Sequence, residues 1–200
     1  IALSGGNTAL EAGQVSNQFT ATLLDAYGNV ASLPLTQTFY LYAKNEIGSF
    51  SATQSFTTPI TSLAVPAGQS TLSFYYKDLI PSISTIVVSD QSVIDDPVDI
   101  GLINANKNIT ITWGAPAKIF INGATTTTAG SAKQIRLGLK NSFDVAIPSS
   151  QNQLLYLFSD SASGSFSIGA NTITQILLPQ GQTDIPVFYT DTVSGNKTLT

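Results

Sequence analysis

The sequence contains no cysteine, no histidine and no methionine. Without cysteine there is no disulfide, no iron–sulfur cluster and no thiol nucleophile. Without histidine the commonest general base is missing. Charge is scarce as well: 10% of residues are charged, against about 25% in an average soluble domain. The eight lysines and arginines are scattered and the net charge is −4. No basic stripe exists that would neutralise phosphates, so a nucleic-acid partner is excluded. No apolar run approaches the ~18 residues of a membrane-spanning helix. The chain opens at Ile1 rather than Met and shows no leader pattern. It therefore reads as a processed product or an excised piece.

What remains is a sparsely charged, apolar chain of 200 residues, 42% of them hydrophobic. Disorder needs low hydrophobicity and high net charge, and the mean hydropathy here is +0.19. A core is affordable, and Ser, Thr, Asn and Gln must solvate the outside. That kind of surface suits an extracellular or cell-surface setting. With no cysteine, packing alone must hold the fold.

The chain reads twice. Gln37-Thr-Phe-Tyr-Leu-Tyr42 matches Gln153-Leu-Leu-Tyr-Leu-Phe158, and Gly48-Ser-Phe-Ser51 returns as Gly164-Ser-Phe-Ser167. Ile60 to Gln69 returns as Ile173 to Gln182, with Pro66 and Gly68 matching Pro179 and Gly181. Phe74-Tyr-Tyr-Lys-Asp78 matches Val187-Phe-Tyr-Thr-Asp191, and Ala12-Gly13 matches Ala129-Gly130. A period of about 115 residues is too long for a solenoid repeat and is the size of a small domain. The junction falls near Trp113-Gly-Ala-Pro-Ala117. It places domain 1 at residues 1–114 and domain 2 at 115–200.

Strand signals dominate and no window has convincing helical periodicity. Residues 18–24, 38–42, 70–76 and 84–89 are aromatic or β-branched runs bounded by turn residues. Residues 108–113 alternate polar and apolar, the pattern of a half-buried strand. Domain 1 resolves into strands near 1–6, 16–25, 37–44, 53–64, 70–77, 84–89 and 108–113. Seven short strands with regular turns predict a β-sandwich. In domain 2, residues 197–200 align near 84–87, and no counterpart of 108–113 follows. The expected fold is all-β: two tandem immunoglobulin-like β-sandwich domains, the second lacking its last strand in this chain. Two accounts of that strand stand side by side: a fragment, or a strand donated by another subunit.

Gly114-Ala-Pro-Ala-Lys-Ile119, the Asp25-Ala-Tyr-Gly28-Asn29 turn and the strands around Phe74–Asp78 and Thr85–Val88 resemble bacterial immunoglobulin-like repeats of the invasin/intimin type. The resemblance implies a non-catalytic module in a rod-like array at a cell surface, used as a spacer, stalk or adhesin. Its implied partners are neighbouring domains of the same protein, neighbouring subunits, or a glycan. Domain 2 has Asn141-Ser-Phe-Asp144 where the turn motif is expected, so its turn is expected to differ.

Catalysis has little material. Glu11 and Glu46 are the only glutamates and read as loop residues, and strand direction puts Asp25 and Asp78 at opposite poles. Metal binding has more. Asp95, Asp96 and Asp99 lie in a loop at the same pole as Asp25, and loop carboxylates of this kind suit Ca²⁺, which takes six to eight oxygens. The competing reading is a solvated acidic loop. No lysine aligns between the repeats, which rules out a shared intramolecular amide cross-link. Asn108-Ile-Thr110 and Asn196-Lys-Thr198 are N-glycosylation acceptor patterns. Tyr40, Tyr42, Tyr75, Tyr76 and Trp113 offer aromatic surface for a saccharide or, equally, for core packing. Of Tyr75 and Tyr76, one must point outward.

Overall fold

The structure is a computed structural model that describes residues 1–92 and 101–200. Its described residues are strands, turns and loops. They form two compact units, Ile1–Trp113 and Gly114–Thr200.

Unit 1 stacks two five-stranded sheets. The first contains β1 (Ala2–Gly5), β3 (Phe19–Thr22), β8 (Thr71–Lys77), β5 (Ser49–Ser51) and β6 (Pro59–Ile60), in that spatial order. The second runs β2 (Ala9–Glu11), β10 (Ala105–Thr112), β9 (Ile83–Ser89), β4 (Gln37–Ala43) and β7 (Ser62–Val65). Strands 1, 3, 8 and 5 correspond to A, B, E and D of an immunoglobulin sandwich, and strands 10, 9 and 4 to G, F and C. The strands form because apolar residues alternate. In β8, Leu72, Phe74 and Tyr76 are buried while the residues between them are not. Tyr75 is accordingly the outward member of its pair. Phe19 stacks on Phe74 at 5.4 Å, and Phe50 meets Tyr76 at 5.3 Å. Each such ring taken from water contributes roughly 1.5–3 kcal/mol.

Three strand expectations are corrected. Residues 53–64 are not one strand: residues 52–58 form a loop, and Phe56 within it has φ 53°. Pro59 opens a two-residue edge strand, the position where a missing amide does no harm. The strand preceding this loop is the Ser49–Ser51 part of the repeated Gly-Ser-Phe-Ser segment. Strand β2 was not anticipated. Three residues are too few to show a period, and β2 pairs with β10 in parallel. It ends on Glu11, which is therefore a strand residue rather than a loop residue.

Unit 2 repeats the plan. Its main sheet is β11 (Lys118–Gly123), β12 (Lys133–Lys140), β18 (Asp184–Asp191), β15 (Gly164–Ile168) and β16 (Asn171–Ile173), with β13 (Ala146–Ile147) joining β12. Its second sheet pairs β14 (Gln153–Tyr156) with β17 (Gln175–Leu178). Leu199 bridges to Ser159, and Phe158 and Thr200 exchange backbone hydrogen bonds at 2.8 and 2.9 Å. Residues 198–200 thus run beside 158–160 as β9 runs beside β4. The described residues of unit 2 contain no counterpart of β10. The core gathers Ile135, Leu137, Ile147, Leu155, Phe166, Leu178, Val187 and Tyr189. Phe166 meets Tyr189 at 5.2 Å, matching the Phe50–Tyr76 contact of unit 1.

Candidate functional site

Each unit buries one dense polar cluster, and it is the same cluster. In unit 1 its centre is Asp78, 1% exposed, directly after β8. The Tyr76 hydroxyl donates to Asp78 Oδ2 at 3.0 Å. Asn45 Nδ2 donates to the same oxygen at 2.7 Å, and the Ile80 amide donates to Oδ1 at 3.0 Å. Ser84 Oγ lies 2.9 Å from the Tyr76 hydroxyl. A phenol has one proton, so with that proton on the carboxylate, Ser84 is the donor in this second bond. Tyr76 belongs to one sheet and Ser84 to the other. The cluster therefore clamps the two sheets together.

Unit 2 rebuilds it around Asp191. Tyr189 donates to Asp191 Oδ2 at 3.1 Å, Ser163 donates to Oδ1 at 2.6 Å and the Val193 amide to Oδ1 at 2.9 Å. Ser159 Oγ contacts the Tyr189 hydroxyl at 2.8 Å. Hydroxyls replace the amide of Asn45, and Lys197 Nζ approaches Asp191 Oδ2 to 3.7 Å. Backbone ties match too: Gly13 donates to the Asp78 carbonyl and Gly130 to the Asp191 carbonyl, both at 2.7 Å. Both glycines have positive φ, 86° and 80°. The repeated Ala-Gly pair is the sequence trace of this tie.

Burial raises the pKa of both tyrosine hydroxyls, that of Tyr76 strongly, so they remain donors. The Ser161 and Ser163 hydroxyls, then the Val193 amide, hold the Asp191 carboxyl far below its usual value. Lys197 Nζ, 3.7 Å from Asp191 Oδ2, forms an ion pair with it. The unit 1 cluster is buried, whereas Tyr189 and Lys197 of the unit 2 cluster also line a cleft with Lys133, Asn196 and Leu199. The hydrogen bonds of both clusters tie neighbouring segments of the fold together.

The Asp25 turn behaves in the same way. Asp25 Oδ1 accepts from the Tyr27 and Asn29 amides at 2.9 and 2.8 Å, and Oδ2 from Asn29 Nδ2 at 3.2 Å. These bonds, those from Asn29 foremost, lower its pKa. The expectation that unit 2 turns differently is overturned. Asn141 Oδ1 accepts from Phe143 and Val145 at 3.0 and 3.1 Å. The Asn141 amide reaches Val145 O at 2.9 Å, as the Asp25 amide reaches Asn29 O at 2.8 Å. An amide oxygen accepts as a carboxylate oxygen does, and Asp144 at φ 65° takes the left-handed place of Gly28.

Asp95, Asp96 and Asp99 lie outside the described residues. Among the described residues no three acidic side chains gather as metal ligands. Asp90, at the base of that loop, accepts from the Leu102 amide at 3.1 Å and so joins its two ends. Asn108 and Asn196 are both exposed. Tyr40 and Tyr42 lie half-buried on the outer face of β4, and Tyr156 is 73% and Phe158 65% exposed at the matching positions. Trp113, the last residue of unit 1, is 38% exposed. Sequence reasoning matched Tyr76–Asp78 to Tyr189–Asp191 but missed the clamp. The usable signal was a polar, acidic residue recurring at an interior strand position in both copies.

No family model matches the chain, and no curated protein does. Among solved structures it is similar to the crystal structure of invasin, a bacterial integrin-binding protein, at 12% identity and TM-score 0.45. The match covers 99% of this chain and 34% of that one. It is similar to the D0–D1 domain of intimin at 14% identity and TM-score 0.34, covering 99% of this chain and 87% of that one. Domains 4–9 of the surface-layer protein SbsC match at 15% identity and TM-score 0.35, over 98% of this chain and 28% of that one.

Proposed function

We propose that the chain is a non-catalytic spacer module of a secreted or surface-anchored protein, whose work is to carry load. The observation behind this reading is what the two units repeat. Their matched residues are core rings (Phe50 and Phe166), turn glycines (Gly68 and Gly181) and the buried Tyr76–Asp78 and Tyr189–Asp191 clamps. Duplication has kept cohesion, and no reactive group is kept with it. A surface poor in charge and rich in hydroxyls and amides fits a location outside the cell. Absence of histidine and cysteine fits a role without catalysis.

Single-molecule pulling from both ends tests the reading. A load-bearing pair gives two separate unfolding events, with length gains for units of about 113 and 87 residues at up to ~3.6 Å each. A single low-force event would remove the mechanical role. Specific retention on a glycan array would instead favour an adhesive module.

A further inference from the structure

We infer that Asn108 carries an N-linked glycan, and that the glycan shields an open edge of unit 1. The acceptor pattern Asn108-Ile-Thr110 lies wholly on β10. Alternation along that strand puts Ile109 in the core and leaves Asn108 and Thr110 exposed on the outer face. Both groups that a transferase must reach, the amide and the hydroxyl two residues on, therefore point the same way. Thr85 Oγ1 donates to Asn108 Oδ1 at 2.8 Å. The attachment nitrogen, Nδ2, keeps no hydrogen bond among the described residues.

The surroundings give the modification a purpose. Strand β2 pairs with β10 only at Thr110, Ile111 and Thr112. On that side, residues 105–109 pair with no strand among the described residues, although β1 lies close to β10 and the Ile1 amino group donates to the Ile103 carbonyl at 3.0 Å. Such an edge is a template for pairing with another chain, and proteins blunt it with charge, an inward-pointing charged residue or a cover. Lys107 turns inward and supplies the second of these devices at one position. Its Nζ donates to Gly5 O at 2.6 Å and lies 5.5 Å from the centre of the Phe19 ring. The outer positions of β10 are Asn106, Asn108, Thr110 and Thr112, none of them charged. A hydrated oligosaccharide on Asn108 adds bulk on the outer face of β10, where no position is charged. The donor is a lipid-linked oligosaccharide phosphate acted on by a separate transferase. Asn108 Nδ2 bonds to the anomeric carbon, the bond from that carbon to the phosphate oxygen breaks, and the amide proton passes to a base. The inference is independent of the load-bearing reading.

The test uses the full parent protein from the cells that make it. Trypsin cuts after Lys107 and Lys118, releasing residues 108–118 as one peptide. Tandem mass spectrometry should find it heavier by an oligosaccharide, with the fragments placing the sugar on Asn108. Asn108→Gln and Thr110→Ala should return the bare mass, and Thr110→Ser should keep the sugar. A bare peptide as the sole species, or sugar on Thr110 or only on Asn196, would overturn the inference. Sedimentation velocity reads the edge: Asn108→Gln should self-associate more than the parent. Equal association would overturn the shielding role.

Discussion

Tyr76 and Asp78 stand two residues apart on the line of β8, both facing inward, with the phenol donating to the carboxylate across 3.0 Å. The bond closes between groups that water does not reach. Removing the donor strands an anion with one partner fewer, at about 1–3 kcal/mol. Tyr76→Phe is therefore expected to lower the unfolding free energy by that amount, read as a lower urea midpoint at unchanged slope. Tyr189→Phe should follow in the same direction, by less, because Asp191 has Lys197 beside it as well as the Ser163 hydroxyl that stands where Asn45 serves Asp78. A Tyr76→Phe protein as stable as the parent would show that the clamp contributes nothing.

Gly48 and Gly164 precede the repeated Ser-Phe-Ser segment because each lies under a tyrosine. A methyl group on Gly48 would overlap the Tyr76 hydroxyl, and one on Gly164 would come within 2.5 Å of the Tyr189 hydroxyl. Neither glycine has a positive φ, so the constraint is space rather than backbone conformation. Gly48→Ala is expected to cost about 1–3 kcal/mol through overpacking. The ring carbons Cε2 and Cζ of Tyr76 overlap the methyl as well, so Tyr76→Phe keeps most of the clash. Combined instead with Tyr76→Ala, which removes the ring, Gly48→Ala should cost less than the sum of the two. A double-mutant cycle in urea measures this coupling. Strict additivity would contradict the overlap.

The acid limb of stability should belong to the aspartates. Asp191, Asp184, Asp144 and Asp25 all have lowered pKa values in the folded chain, Asp191 by the widest margin. The folded state then binds fewer protons than the unfolded state just below the ordinary carboxylate pKa. Stability is fully present above about pH 4 and falls as pH drops further. Tyr76 and Tyr189 are raised, so their contribution is complete below about pH 10 and is lost above it. No histidine titrates between them. Thermal melts should show a plateau from about pH 5 to 9, with Asp191→Asn flattening the acid limb. An inflection near neutrality would contradict this assignment.

The duplication and the sandwich were legible because both rest on patterns longer than a single contact. Phe74 and Val187, Phe50 and Phe166, and the Pro-x-Gly turns recur in order, and β8 and β10 alternate cleanly. The clamp was not legible. Its members, Asn45, Tyr76, Asp78 and Ser84, come from three separate segments, and unit 2 replaces Asn45 with serines. Only the fold shows that different side chains donate to one carboxylate. Strand β2 was invisible because three residues carry no period. The loop at 52–58 was misread because Phe56 and Thr57 look like strand residues. What excludes them is the positive φ of Phe56 and the proline at 59.

Asp25 and Asn141 perform one task with two chemistries, and the difference separates a turn from a metal ligand. In both units the side-chain oxygen accepts two backbone amides, which needs an oxygen but not a charge. Asp25→Asn keeps the Oδ1 acceptor but loses the charge and the Oδ2 bond from Asn29, so it should lower the melting midpoint slightly, whereas Asp25→Ala, which removes both acceptors, should lower it by several degrees. The same melts run with added Ca²⁺ and with chelator decide the other reading. A turn residue gives Asp25→Asn the same Ca²⁺ response as the parent. A ligand would make the parent rise with Ca²⁺ and the asparagine variant fail to, since the neutral amide binds the cation far more weakly than a carboxylate.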